Sequence, residues 1–393
     1  LEEDPLGTVE KMPAPSVLLI GNYPPDGQQS MRRYAEFLYG ELRSRGFKVD
    51  LIQPDAVFGR LFRGSEFLSK WMGTLDKYLV FPFRLRLIGS RYAVAHICDH
   101  SNAFYLHYLK RKACLVTCHD LFGIKSELGH YPETAGRTSL QHRRRMAWTL
   151  SSLKETQNVV CVSDKTKEDL VELLGSPPPR LVTIPHSLNW EFAPMLPERV
   201  EAILGDLDPR IGDRYFLHVG GNQWYKNRAG VIRIFLSLKK FPAYRSVKLV
   251  MAGKAWTAEM RALCEGPEGR DVVEIVGPSN EQVQALYAGA IALIFPSLQE
   301  GFGWPILEAQ ACGCPVITSN RAPMTEIAGA SAILIDPTDP ESAAARIDEG
   351  LECREEMIRA GFENLKRFAK EGIIDQYCAL YGQIAAGATA TVP

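Results

Sequence analysis

Ile291–Thr318 reads IALIFPSLQEGFGWPILEAQACGCPVIT, and its pattern decides the fold. Ile291–Phe295 is a short apolar run closed by Pro296, the mark of a buried strand. Pro305 suits the first turn of a helix, where its missing N–H has no intrahelical partner. Pro315–Thr318 then starts a second strand. Strand, helix and strand in succession form the unit of a parallel α/β sheet.

The same alternation extends in both directions. Upstream, Tyr215–Val219, Val247–Ala252 and Val272–Val276 read as strands, and Arg228–Lys239 reads as a helix. Near the start, the strand Ser16–Ile20 is stopped by GNYPPDG. A helical pattern from Ser30 to Arg45 follows, with Met31, Tyr34, Phe37, Leu38 and Leu42 on one face. Phe47–Ile52, Ala93–Ile97, Ala113–Thr117 and Asn158–Ser163 are further strands. The fold class is therefore α/β, with two Rossmann-like, doubly wound domains at 14–190 and 213–371 and a Pro- and Asp-rich linker at 191–212. A last helix at 372–388 presents Ile374, Tyr377, Leu380, Tyr381 and Ile384 and is expected to pack back on the first domain, followed by a frayed tail.

Composition narrows the function. Of 393 residues, 45 are basic and 46 acidic, so no global field favours nucleic acid. A hydrophobic content of 46% is enough for sizeable cores. The nine cysteines include no C-x-x-C pair and read as buried thiols in a reducing, cytoplasmic setting. No apolar run reaches the ~20 residues that span a bilayer.

Ligands of open parallel sheets bind outside the carboxyl ends of the strands. After Phe295, Gly301 and Gly303 allow close backbone approach. The amides of Phe302, Gly303 and Trp304 at a helix start suit an oxyanion such as a diphosphate. Glu300 and Glu308 flank that turn; a continuous helix would hold them ~12 Å apart, too far for an acid/base pair but suited to two hydroxyl clamps. After Val219, Lys226 at a loop-to-helix junction offers a point charge for phosphate, beside Asn227 and Arg228. His119, at the end of a strand and followed by Asp120, is placed to meet a substrate or to be oriented by that carboxylate. Asp99 and His100 follow another strand end. Gly27, Gln28, Gln29 and Ser30 fill the first strand-to-helix loop.

EGFGWPILEAQACGCPVITSN resembles the E-x7-E signature of retaining glycosyltransferases of the GT-B fold, family 4. PSNEQVQALYAGAIALIFPS and APMTEIAGASAILIDPTDPES extend the resemblance. It implies transfer of a sugar from a UDP-, GDP- or ADP-sugar to a glycan, lipid or small-molecule acceptor, with no cofactor and no metal. The implied roles are a sugar contact for Glu300, a ribose contact for Glu308 and phosphate binding for Lys226 with Asn227. Gly301 to Trp304 would hold the diphosphate, Gly27 of the first loop would approach the phosphates, His119 would approach the sugar, and backbone near Gly277 would meet the base. Gln28, Ser30, Asp99 and His100 are the acceptor-side candidates. The usual Arg after the strand glycine is replaced by Gly221. A GT-B nucleotide-sugar 2-epimerase and a non-catalytic nucleotide-sugar binder are the competing classes. Asp206-Leu207-Asp208 has D-x-D spacing but reads as solvated acids. Lys110-Arg111-Lys112, Arg143-Arg144-Arg145 and Phe81-Pro82-Phe83-Arg84 leave peripheral contact with the inner face of a membrane open beside a solvated helix face.

Overall fold

The computed structural model describes residues 14–55, 72–110, 113–131 and 139–389. The first half builds one parallel sheet from β1 (Val17–Ile20), β2 (Val49–Ile52), β3 (Val94–Ile97), β4 (Cys114–Cys118), β5 (Asn158–Cys161) and β6 (Arg180–Thr183), in the order β2-β1-β3-β4-β5-β6. The second half builds another from β7 (Tyr215–Gly220), β8 (Lys248–Gly253), β9 (Val272–Val276), β10 (Leu293–Phe295), β11 (Val316–Ser319) and β12 (Ala332–Ile335), in the order β12-β11-β10-β7-β8-β9. Every pairing is parallel. The inner strands β1, β3, β4 and β5 are buried along their whole length, which explains their continuous apolar runs. β6 and β12, short edge strands that are only partly buried, escape the sequence reading; β6 is RLVT, with two apolar residues between polar ones, whereas β12 is the continuous apolar run AILI.

Helices on both faces complete two doubly wound domains. The stretch read as a linker contains the helix Pro197–Leu207, which starts on Pro197 and buries Val200 and Leu204 against the helix Asn280–Gly289. The last helix runs Lys370–Thr389, past the point where fraying was expected, and crosses back to the first domain. Tyr377 there meets the Tyr34 hydroxyl at 2.6 Å, Tyr381 meets His96 Nδ1 at 2.7 Å, and Asp375 pairs with Arg45. One buried cluster runs from Leu19 and Leu38 of the first domain through Leu217 and Phe295 of the second to Ile374 and Ile384 of this helix. No helix among the described residues is long and apolar enough to cross a membrane.

The two strand orders set where ligands belong. Chain direction across the sheet reverses between β1 and β3 in the first domain and between β10 and β7 in the second. At such a switch point the two following loops diverge and leave a crevice. The four loops concerned carry Gln28, Asp99, Lys226 and Glu300.

Candidate active site

The second switch point is built by loops that brace each other. After β7 the chain makes a tight turn at Trp224–Lys226, and Asn227 takes φ 52°, a left-handed conformation that Asn tolerates better than most residues. The Asn227 amide donates to Pro296 O at 3.1 Å and Pro337 O at 2.9 Å, tying this loop to those after β10 and β12. Leu298 N donates to Tyr225 O at 2.7 Å. So held, Lys226 Nζ reaches Glu300 Oε1 at 2.7 Å, and Ser297 Oγ donates to the same oxygen at 2.8 Å. The ammonium also lies 5.1 Å from the Phe295 ring centre.

Gly303, at φ 113°, opens the helix Trp304–Ala311, with Pro305 in its first turn as the sequence implies. Glu308 lies within this helix and accepts a bond from the Tyr287 hydroxyl at 2.9 Å. Burial raises its pKa to about 7, against the opposing pull of that bond, of Lys226 and of Arg33. Arg33 belongs to the helix Gln29–Ser44 of the first domain, so the field on Glu308 spans both domains. Its amphipathic helix hid it among ordinary solvated positions.

The turn before the helix touches the first domain directly. A Cβ on Gly301 would sit 1.9 Å from His119 O, so only glycine fits. Ser163 Oγ donates to Gly301 O at 2.8 Å, and the amide of Asp164 donates to Glu326 at 2.9 Å. Phe302 is buried edge-on to His186, while Trp304 stacks on His186 with ring centres 4.3 Å apart and donates its indole N–H to Ser187 O at 3.0 Å. The side chains of Phe302 and Trp304 thus join the domains, and only their backbone remains for an anion.

At the first switch point, Asn22 is the hub that the sequence reading missed. Buried in the loop after β1, its amide nitrogen donates to Gln28 Oε1 and to Asp99 Oδ2, and its oxygen accepts from Asn102 at 3.1 Å. Gly27, at φ 70°, closes the turn Pro24–Asp26 just before Gln28. Asp99 also accepts from the amide and hydroxyl of Ser101 at 2.9 and 2.7 Å. Burial alone would raise its pKa, but His100, His119 and these bonds outweigh it and keep a carboxylate. Asp99 therefore braces the loop while it lines the cavity together with His100, Gln28 and Ser30.

Of the two alternatives read for His119, orientation by the Asp120 carboxylate is not the arrangement found; that carboxylate accepts from Phe122 N at 3.2 Å and shapes the local turn. The His119 ring instead donates from Nε2 to Cys98 O at 2.7 Å, which leaves Nδ1 to accept from His186 Nε2 at 3.1 Å. Burial lowers the pKa of both rings, favouring neutral imidazoles.

A cavity of about 610 Å³ lies between the domains, lined by Gln28, His100 and His119 on one side and Gln223, Tyr225 and Lys254 on the other. Lys254 directly follows β8, so the strand-end rule that found Lys226 applies to it too. Arg228, buried to 3% exposure, binds Lys254 O at 2.7 Å and the Asn222 side chain, while its Nε and Nη2 have no hydrogen-bond partner among the described residues. Gly277, at φ 62°, donates to Gly253 O at 2.9 Å beside that loop, and Ser279 caps the next helix. Asp208 of the D-x-D triplet is paired with Arg210 at 2.6 Å.

Two family models match this chain. "Glycosyltransferase Family 4" covers residues 31–191 and "Glycosyl transferases group 1" covers residues 201–371. The chain is 26% identical over 288 residues to the O-antigen chain mannosyltransferase B of Escherichia coli, across 72% of this chain and 73% of that protein. Its fold matches sucrose-phosphate synthase from Thermosynechococcus elongatus at TM-score 0.69 and 19% identity, covering 95% and 99% of the two chains. It also matches Anabaena HepE, solved in complex with UDP, at TM-score 0.68 and 13% identity, covering 94% and 100%.

Proposed function

Because glycosyltransferase family models match both halves, the chain belongs to the GT-B glycosyltransferases, and from that premise we propose that it transfers a hexose, mannose in the first instance, from a nucleoside-diphosphate sugar to an acceptor hydroxyl with retention. The mannosyl choice and a role in polysaccharide assembly are supported by the Escherichia coli relative. The nucleotide donor is supported by the Anabaena neighbour, whose structure holds UDP.

The observation that carries this reading is the Lys226–Glu300 contact at the β10/β7 switch point, next to the helix start at Gly303. Cleavage of the sugar–phosphate bond puts negative charge on the diphosphate. Fixed cations and amide dipoles stabilise that charge more in the transition state than in the ground state. In this reading Lys226 and the helix N-terminus do so without a metal, Glu300 holds sugar hydroxyls, and Glu308 holds the ribose. The acceptor enters beside Gln28, Ser30 and His100. Its oxygen bonds to the anomeric carbon on the face from which the phosphate leaves, and its proton passes to a departing phosphate oxygen.

A panel of UDP-, GDP- and ADP-hexoses tests the assignment, read by donor hydrolysis and by the anomeric configuration of the product. Slow hydrolysis and a retained configuration are expected. Epimerised donor would replace the transferase with a 2-epimerase, and binding without turnover would leave a nucleotide-sugar binder. Lys226→Ala should weaken donor binding by about tenfold or more, since a charge-assisted phosphate contact contributes ~1.5–3 kcal/mol. Unchanged affinity would remove Lys226 from the site.

A further inference from the structure

Two neighbouring helical segments of the first domain expose an apolar and cationic face that the transfer chemistry does not use. Along the stretch Asp76–Val80 and Phe81–Ile88, Leu79, Phe83 and Leu87 recur every four residues and are 67%, 67% and 58% exposed. Along Leu140–Lys154, Leu140 and Trp148 are 73% and 36% exposed, with Arg144 between them at the same spacing. The segments are joined by ring contacts, Tyr78 lying 6.0 Å from Trp148 and 5.1 Å from Phe104. Side chains this apolar are normally turned inward, and three in a row on one helix face make an interaction surface.

The charge on this face names its occupant. Phe81–Ile88 and Leu140–Lys154 contain Arg84, Arg86, Arg143, Arg144, Arg145 and Lys154 and no acidic residue. Neighbouring acids offset part of this: Asp55 pairs with Arg84 at 2.6 Å and Glu127 with Arg143 at 3.4 Å. Apolar side chains flanked by arginines and an interfacial tryptophan match the boundary of a bilayer with anionic headgroups. Of the basic triplet expected to take part, Arg111 and Lys112 lie outside the described residues.

We propose that this face docks the protein on an anionic membrane surface, with Leu79, Phe83, Leu87 and Trp148 entering the headgroup boundary. Other side chains of the same segments, Tyr78, Arg145 and Met146, line the cavity. A membrane on this face therefore lies next to the proposed acceptor entrance and suits an acceptor carried by a lipid.

The test needs neither donor nor acceptor, so its result is independent of the transferase reading. The full chain is co-sedimented with phosphatidylcholine vesicles and with vesicles that also contain phosphatidylglycerol. Binding to the anionic vesicles that falls with salt is expected. The triple variant Leu79→Ser, Phe83→Ser, Leu87→Ser and the double variant Arg143→Glu, Arg144→Glu should each lose about tenfold in partitioning. Circular dichroism should show both folded, because every substituted side chain is exposed. Equal partitioning of folded variants and parent overturns the proposal. So does a parent that ignores vesicles but self-associates through these residues, as sedimentation velocity would reveal.

Discussion

Glu308 places a titrating group inside the proposed donor site. Its desolvated carboxyl has a pKa of about 7, and Tyr287 donates to the form that is charged. A ribose clamp works by accepting hydroxyl protons, so the carboxylate should bind better than the acid. Donor affinity measured by titration should therefore rise from pH 6 to pH 8. Tyr287→Phe removes a bond that favours ionisation and should move the rise to higher pH, while Glu308→Gln should flatten it. Identical profiles in all three proteins would separate Glu308 from the donor. The pairing of Tyr287 with Glu308 was not legible in the sequence, since the residues stand on different helices and only packing brings them together.

At the scale of elements, two loop residues decide whether the site assembles. Asn227 combines a left-handed backbone with two bonds to carbonyls of other loops. Asn227→Gly keeps the backbone and loses the bonds; Asn227→Ala loses both. Denaturant unfolding should show a cost of ~1–3 kcal/mol for Gly and more for Ala, because a β-carbon at positive φ is strained. Equal costs would mean that the bonds alone matter. Gly301 has a different duty, packing against His119 O across the domain boundary. Gly301→Ala should push the domains apart and lower turnover by about tenfold or more, since small displacements of positioned groups are costly. Scattering should show a larger radius with the unfolding midpoint little changed. The glycines were visible in EGFGWP, but their sequence could not show that Gly301 also packs against the neighbouring domain.

Across the whole molecule, buried neutral histidines couple stability to pH. His96 and His218 are held at about 3 by burial, and His119 and His186 are lowered by the same cause. A depressed pKa means that the unfolded chain binds the proton first. These groups therefore contribute stability above their ordinary value of ~6.5 and lose that contribution as pH falls toward their folded values. Glu308 acts oppositely, its contribution being present below its ordinary value of ~4.5 and lost as pH rises through about 7. The four histidines outweigh Glu308 and the half-buried Glu326, whose pKa burial also raises, so urea unfolding should be easier at pH 4.5 than at pH 7; a flat profile would contradict the burial of these rings. The sequence by itself determined the parallel α/β class, most strands and the candidates Lys226, Glu300 and Glu308, because continuous apolar runs, helix-start prolines and turn glycines are local signals. Tertiary structure alone decided that Lys226 meets a carboxylate 74 residues away, that His119 leans on His186 rather than Asp120, and that one arginine-lined face is exposed among the described residues. An apolar run specifies burial, but the order of strands and the docking of domains specify what lies beside it.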